Sequence, residues 1–91
     1  MIDPKLIQQE EIQHLKGEMV GQTYLHFKGT YYVVIDIAVH SESSEPLVIY
    51  KSKGADDYTW ARPLSMFNSP MDHEKYPDVS QKMRFEKVKE Q

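Results

Sequence analysis

The chain has 91 residues, room for one domain, with a formal net charge of −3 and no cysteine. The missing thiols exclude disulfide stapling, thiol catalysis and thiolate zinc sites, and they point to a reducing, cytoplasmic compartment. Charges of both signs are interspersed, so nucleic acid meets no broad attraction beyond a local basic patch, and no run approaches the ~20 apolar residues of a membrane helix.

Residues 1–17 read as a helical extension ahead of a single β domain over 18–91. Asp3-Pro4 has the form of an N-cap followed by proline at the first helical position, and Gly17 is a stop signal. The pattern predicts a short helix over 4–15. Its apolar stripe of Leu6, Ile12 and Leu15 is ragged, so the helix is expected to be dispensable for the fold. The same segment lacks the basic start and unbroken apolar run of a signal peptide.

From Met19 the character turns to strand. Thr23–Lys28 is rich in β-formers, and Lys28-Gly29-Thr30 is a tight turn into Tyr31–His40, the strongest strand signal in the chain. Asp36 interrupts that run, and a bulge there would swap the inward face. Ser41–Glu45 reads as a polar turn, Leu47–Lys51 as a third strand and Ser52–Asp57 as a second turn. Tyr58–Pro63 is a fourth strand with Tyr58, Trp60 and Arg62 on one face. Leu64–Phe67 reads as a helical turn that inserts Met66 and Phe67 into the core. Residues 68–82, broken by Pro70 and Pro77, form a long polar loop of a length that is often functional or disordered. Met83–Val88 closes the domain as a fifth strand, and residues 89–91 are expected to fray. The expected fold is mainly β: an SH3-like barrel or strongly bent antiparallel sheet of about five strands.

Four constellations invite a chemical reading. His40-Ser41-Glu42 has the H-x-E form of zinc deaminases, yet the cysteines of the accompanying P-C-x-x-C are missing. His26, His40, Glu42 and Glu45 have the donor types for zinc or manganese, but their spacing matches no ligand motif; neither metal nor cofactor is expected. Ser41 and Ser65 lack the glycines of a nucleophile elbow. Tyr58, Trp60 and Arg62 could stack a planar ligand and hold its anionic group. The bland alternative buries Trp60 in the core and pairs Arg62 with Glu42 or Glu45. His14 and His73 read as surface residues.

Several blocks together carry a family likeness. Tyr24-Leu25-His26-Phe27-Lys28-Gly29, Tyr32-Val33-Val34, Ala38-Val39-His40-Ser41-Glu42 with Glu45, and Val48-Ile49-Tyr50 stand in order. Trp60-Ala61-Arg62-Pro63-Leu64-Ser65-Met66-Phe67 and Arg84-Phe85-Glu86 follow. Over roughly residues 20–88 the sequence resembles the small bacterial domain catalogued as domain of unknown function 1653. It departs from that family at Ser43, where threonine is common, in the polar turn 51–54, and in the length of residues 68–82. The resemblance implies a compact β domain and no established activity. It also draws attention to His26, His40, Ser41, Glu42, Glu45, Trp60 and Arg62 as one set.

These residues, with Tyr50, are the expected ligand site. Trp60 and Tyr50 would stack, Arg62 would meet an anion, and His40, Glu42 and Glu45 would orient it. The expected function is a binding module for an anionic planar ligand such as a nucleotide or modified base, more a binder than an enzyme. The rivals are a metal-independent hydrolase or phosphoesterase using His40 and Glu42, and a protein-interaction domain with an aromatic groove.

Overall fold

The computed structural model describes residues 4–54 and 57–88. In chain order it contains α1 (Pro4–Met19), β1 (Thr23–His26), β2 (Tyr31–Val39), β3 (Pro46–Ser52), β4 (Thr59–Pro63), α2 (Leu64–Phe67) and β5 (Phe85–Lys87). The expected Asp3 cap, the middle of the turn 52–57 and the last three residues lie outside the described residues.

The helix runs through Gly17 to Met19, four residues beyond the expected end at residue 15. Docking explains the difference. Met19, in the added turn, is buried in the core, and Ile12 and Leu15 pack against it. Tertiary packing of these side chains outweighs the roughly 1 kcal/mol cost of glycine inside a helix. The true terminator is Gly21, whose φ of +83° reverses the chain into β1 at a conformation that costs glycine little.

The five strands form one antiparallel sheet in the order β4-β3-β2-β1-β5. Successive strands are joined locally, except that the chain leaves β4 through α2 and residues 68–84 before β5 pairs beside β1. Opposite β3, Val34 pairs with Tyr50 and Asp36 with Ile49, so Ile35 is the extra residue of a bulge. The bulge sits one residue before the position that Asp36 suggested. Its effect is the expected one. Val34 and Ile37 are three residues apart and would face opposite sides of a regular strand; across the bulge both are buried.

Phe67 and Phe85 stack at 4.1 Å in the centre of the core, with Tyr24 and Tyr50 edge-on to Phe67. Val34, Ile37 and Val48 complete it. Met66, expected beside Phe67, is instead half exposed at 50%: a four-residue helix can turn only one of two adjacent side chains inward.

A flat sheet would hold its marginal strands β4 and β5 about 19 Å apart at ~4.8 Å per strand. Here the Arg62 guanidinium of β4 lies 5.4 Å from the Phe85 ring of β5, and Tyr50 of β3 lies 5.6 Å from the same ring. The sheet is therefore rolled around its aromatic core. It does not close: β4 and β5 share no ladder among the described residues, so the SH3-like barrel is not formed. Pro63 ends β4, α2 carries the chain inward, and β5 is only three residues long. Neither margin offers a ladder that could be zipped to the other.

Candidate functional site

The rolled sheet brings three distant segments to one cavity. The first is the β1–β2 turn. Gly29, at φ +96°, donates its N–H to the His26 carbonyl at 2.8 Å, and the His26 N–H reaches the Thr30 carbonyl at 2.9 Å. The backbone N–H of Lys28 donates to Nδ1 of His26 at 3.2 Å. This turn sets His26, Phe27 and Lys28 side by side.

The second segment is β4, which supplies Arg62. The third is the long loop, which is anchored rather than loose. Arg84 N–H donates to the Ser69 carbonyl, Met71 N–H to the Lys82 carbonyl, and Pro70 bridges Met83, so the loop has a stitched neck. The Gln81 amide donates to the carbonyls of Leu25 and Met83, both at 2.9 Å, which fastens the neck to β1. Asp72 Oδ1 accepts the backbone N–H groups of Glu74 and Lys75 at 3.1 and 3.2 Å and shapes the loop's tip. His73 lies exposed there, with Nε2 3.1 Å from the Gln81 carbonyl, and His14 is an exposed partner of Glu18.

Together these segments enclose a pocket of about 330 Å³, lined by His26, Phe27, Lys28, Arg62 and the loop residues Met71, Asp72, Lys75, Tyr76 and Arg84. Phe27 and Tyr76 form an aromatic wall with ring centroids 4.9 Å apart. Four cationic side chains meet a single carboxylate, in a chain that is acidic overall. The ion pairs among the described residues, His14–Glu18 and Lys16–Asp36, involve none of these cations. Arg62 donates from Nε to the Tyr50 hydroxyl at 3.2 Å and packs on Phe85, which leaves its terminal nitrogens uncommitted among the described contacts.

His26 registers this field. Burial against Phe27 and Phe85 lowers its pKa, and the charges of Arg62, Lys28 and Arg84 lower it further, to about 4. At neutral pH the ring is neutral. Because Nδ1 accepts the Lys28 amide, its one proton is on Nε2.

The site residues expected from the sequence divide into two groups. His26 and Arg62 line the pocket, with Tyr50 buried behind Arg62. Trp60 faces the same side of β4 as Arg62 and is 46% exposed, so it is not the core residue of the bland alternative. His40, Ser41, Glu42 and Glu45 belong to the β2–β3 turn, at the far end of a nine-residue strand that spans about 26 Å. There His40 Nδ1 accepts the N–H groups of Glu42 and Ser43 at 3.1 and 3.2 Å, and none of the four lines the pocket. The pairing of Arg62 with Glu42 or Glu45 is not found among the described residues. No group of three or more His, Asp or Glu side chains suited to a metal occurs among those residues. No helix of the described residues is long and apolar enough to cross a membrane.

Sequence reasoning missed Phe27, Lys28, Met71, Asp72, Lys75, Tyr76 and Arg84 as site residues. For all but Met71 and Asp72, the signal would have been basic residues flanking aromatic ones, Phe27-Lys28, Lys75-Tyr76 and Arg84-Phe85, in three separate segments.

No curated protein matches the chain. The solved structure of a DUF1653 protein from Bordetella bronchiseptica is similar to it, with a TM-score of 0.62 at 24% identity, covering 79% of this chain and 90% of that one. That likeness speaks for the fold alone. The pattern of the family described as "Protein of unknown function (DUF1653)" matches residues 22–87, from the start of β1 to the end of β5. With most of its length so matched, the chain belongs to the DUF1653 family.

Proposed function

We propose that the protein is a binding module for a small anionic, planar ligand such as a nucleotide or modified base, taken into the pocket between the β1–β2 turn, Arg62 and the long loop. One observation carries this reading: four cations without carboxylate partners converge on an aromatic-walled pocket in an acidic chain. Like charges lining one pocket favour an anion that joins them, so the cluster suits a complex more than the free fold. The volume lies at the small end of the range for organic ligand sites. His26 supports binding over catalysis, because a base with a pKa near 4 is poorly matched to proton transfer at neutral pH.

The test is an amide chemical-shift titration with nucleotides, nucleosides, divalent metals and short single strands. Anionic planar compounds should shift Phe27, Lys28, Asp72, Lys75, Tyr76 and Arg84. Shifts confined to the His40–Glu45 turn, or no shifts from any anion, would refute the reading. A second reading, docking of an extended peptide, is favoured by Tyr58, just ahead of the marginal strand β4, and Trp60 on it, 67% and 46% exposed. Peptide-induced shifts along β4 alone would support it instead.

A further inference from the structure

The donors and acceptors of the pocket are unevenly divided. Arg62, Arg84, Lys28 and Lys75 are donors without lone pairs. His26 joins them, since its Nδ1 is occupied by the Lys28 amide and Nε2, across the ring, carries the proton. Of the acceptors on the wall, Asp72 already gives Oδ1 to two backbone amides, leaving its second oxygen and the Tyr76 hydroxyl. Such a wall fits a ligand group that offers only lone pairs.

Charge narrows the choice further. One carboxylate on the ligand would neutralise a single cation of four. A phosphate monoester brings about −1.5 to −2 charge near pH 7 and three strong acceptor oxygens, which suit guanidinium forks. The rest of the wall favours more than a bare inorganic ion, which would make no use of the aromatic surface that Phe27 and Tyr76 add to the pocket. A cavity of about 330 Å³ accommodates a group of mononucleotide size.

We propose that the pocket takes a small phosphomonoester, its phosphate held by Arg62, Arg84 and Lys28 and receiving the Nε2–H of His26, its planar part against Phe27 and Tyr76. This rests on the anion-binding reading and names the class of anion. His26 is assigned as a ligand contact, and its role as a neutral donor separates it from the cations around it.

The experiment uses the full chain at pH 7.5 with four probes: adenosine 5′-monophosphate, adenosine, benzoate and inorganic phosphate, followed by calorimetry and amide shifts. The monophosphate should bind at least about tenfold more tightly than each of the others, the ratio expected from one charge-assisted group of contacts. Arg84→Gln should weaken it about tenfold or more, and His26→Gln by about three- to tenfold, with adenosine affinity unchanged in both. Should His26→Gln not fold, His26→Asn and Arg84→Gln carry the comparison. Benzoate binding as tightly as the monophosphate would overturn the phosphomonoester class while leaving the anion reading intact. Adenosine binding as tightly, or no pocket shift from any probe, would overturn both. An unchanged monophosphate affinity in both histidine variants would remove His26 from the contact set.

Discussion

Two turns of this protein are built on the same device and end in different surroundings. At each end of β2 a histidine accepts backbone N–H groups on Nδ1: His26 from Lys28, and His40 from Glu42 and Ser43. Locally the motif is an acceptor that stitches a turn. What differs is the company. His26 rests on Phe85 and Phe27 and meets Arg62 from across the rolled sheet, with the long loop closing over it. Beside His40 the turn residues 41–44 are exposed, and from α1 the Gln8 side chain donates to the Ser44 carbonyl. A histidine-led turn is therefore a structural element first. It joins a site where tertiary structure delivers charge and aromatic surface to it.

Removing the floor under the first turn should have the largest effect. Phe85→Ala deletes the ring that stacks on Phe67 and supports His26, and chemical denaturation should record a loss of about 3–5 kcal/mol. A chain beginning at Glu18 keeps Met19 but loses the half-buried Ile12 and Leu15 and the Gln8 contact. It should still unfold cooperatively, about 2 kcal/mol less stable, with shifts around Ser44 and none at the pocket. His40→Ala should cost about 1 kcal/mol by leaving two turn amides without their acceptor, and it should not alter anion binding. If anion affinity drops in that variant, the two turns are not independent.

The pH dependence sharpens the contrast. His26 has a folded pKa of about 4 against 6.5 in the unfolded chain, so between these values the unfolded state binds more protons. Stability is then fully present above pH 6.5 and declines as pH falls toward 4, by about 1 kcal/mol once solvent screening is allowed for. Denaturant midpoints should show that slope in the parent and in His40→Ala, and a flatter one in His26→Gln. The smallest stability change belongs to Arg62→Ala. The lost Tyr50 contact is offset by relief of repulsion, and the midpoint should move by no more than about 0.5 kcal/mol while anion binding collapses. With Glu42→Gln the effects should add, because the two residues form no ion pair. Strong coupling between them would return Arg62 to a structural role.

The strand run over 31–39, its interruption near Asp36 and the turn at Gly29 were legible because they depend on alternation and local backbone preference. The end of α1 was not, since Gly17 is overruled by the burial of Met19, a long-range event. The candidate site was half legible for a similar reason. Arg62 stood out on a strand face beside Trp60, and His26 through the family likeness, yet grouping His26 with His40 ignored the length of β2 that separates them. Lys75, Tyr76 and Arg84 reach the pocket only because the loop folds back over β1, and no sequence period records such a return.

The stitched neck of that loop has a consequence for how the family can diversify. Ser69 to Met71 and Lys82 to Arg84 hold the two ends together by backbone contacts that are indifferent to what lies between. Lengthening the intervening segment adds little closure entropy, about 0.6 kcal/mol for each doubling of its length. The tip can thus be swapped or resized as an interchangeable cartridge, reshaping the pocket wall it contributes while the rolled sheet and its aromatic centre stay as they are.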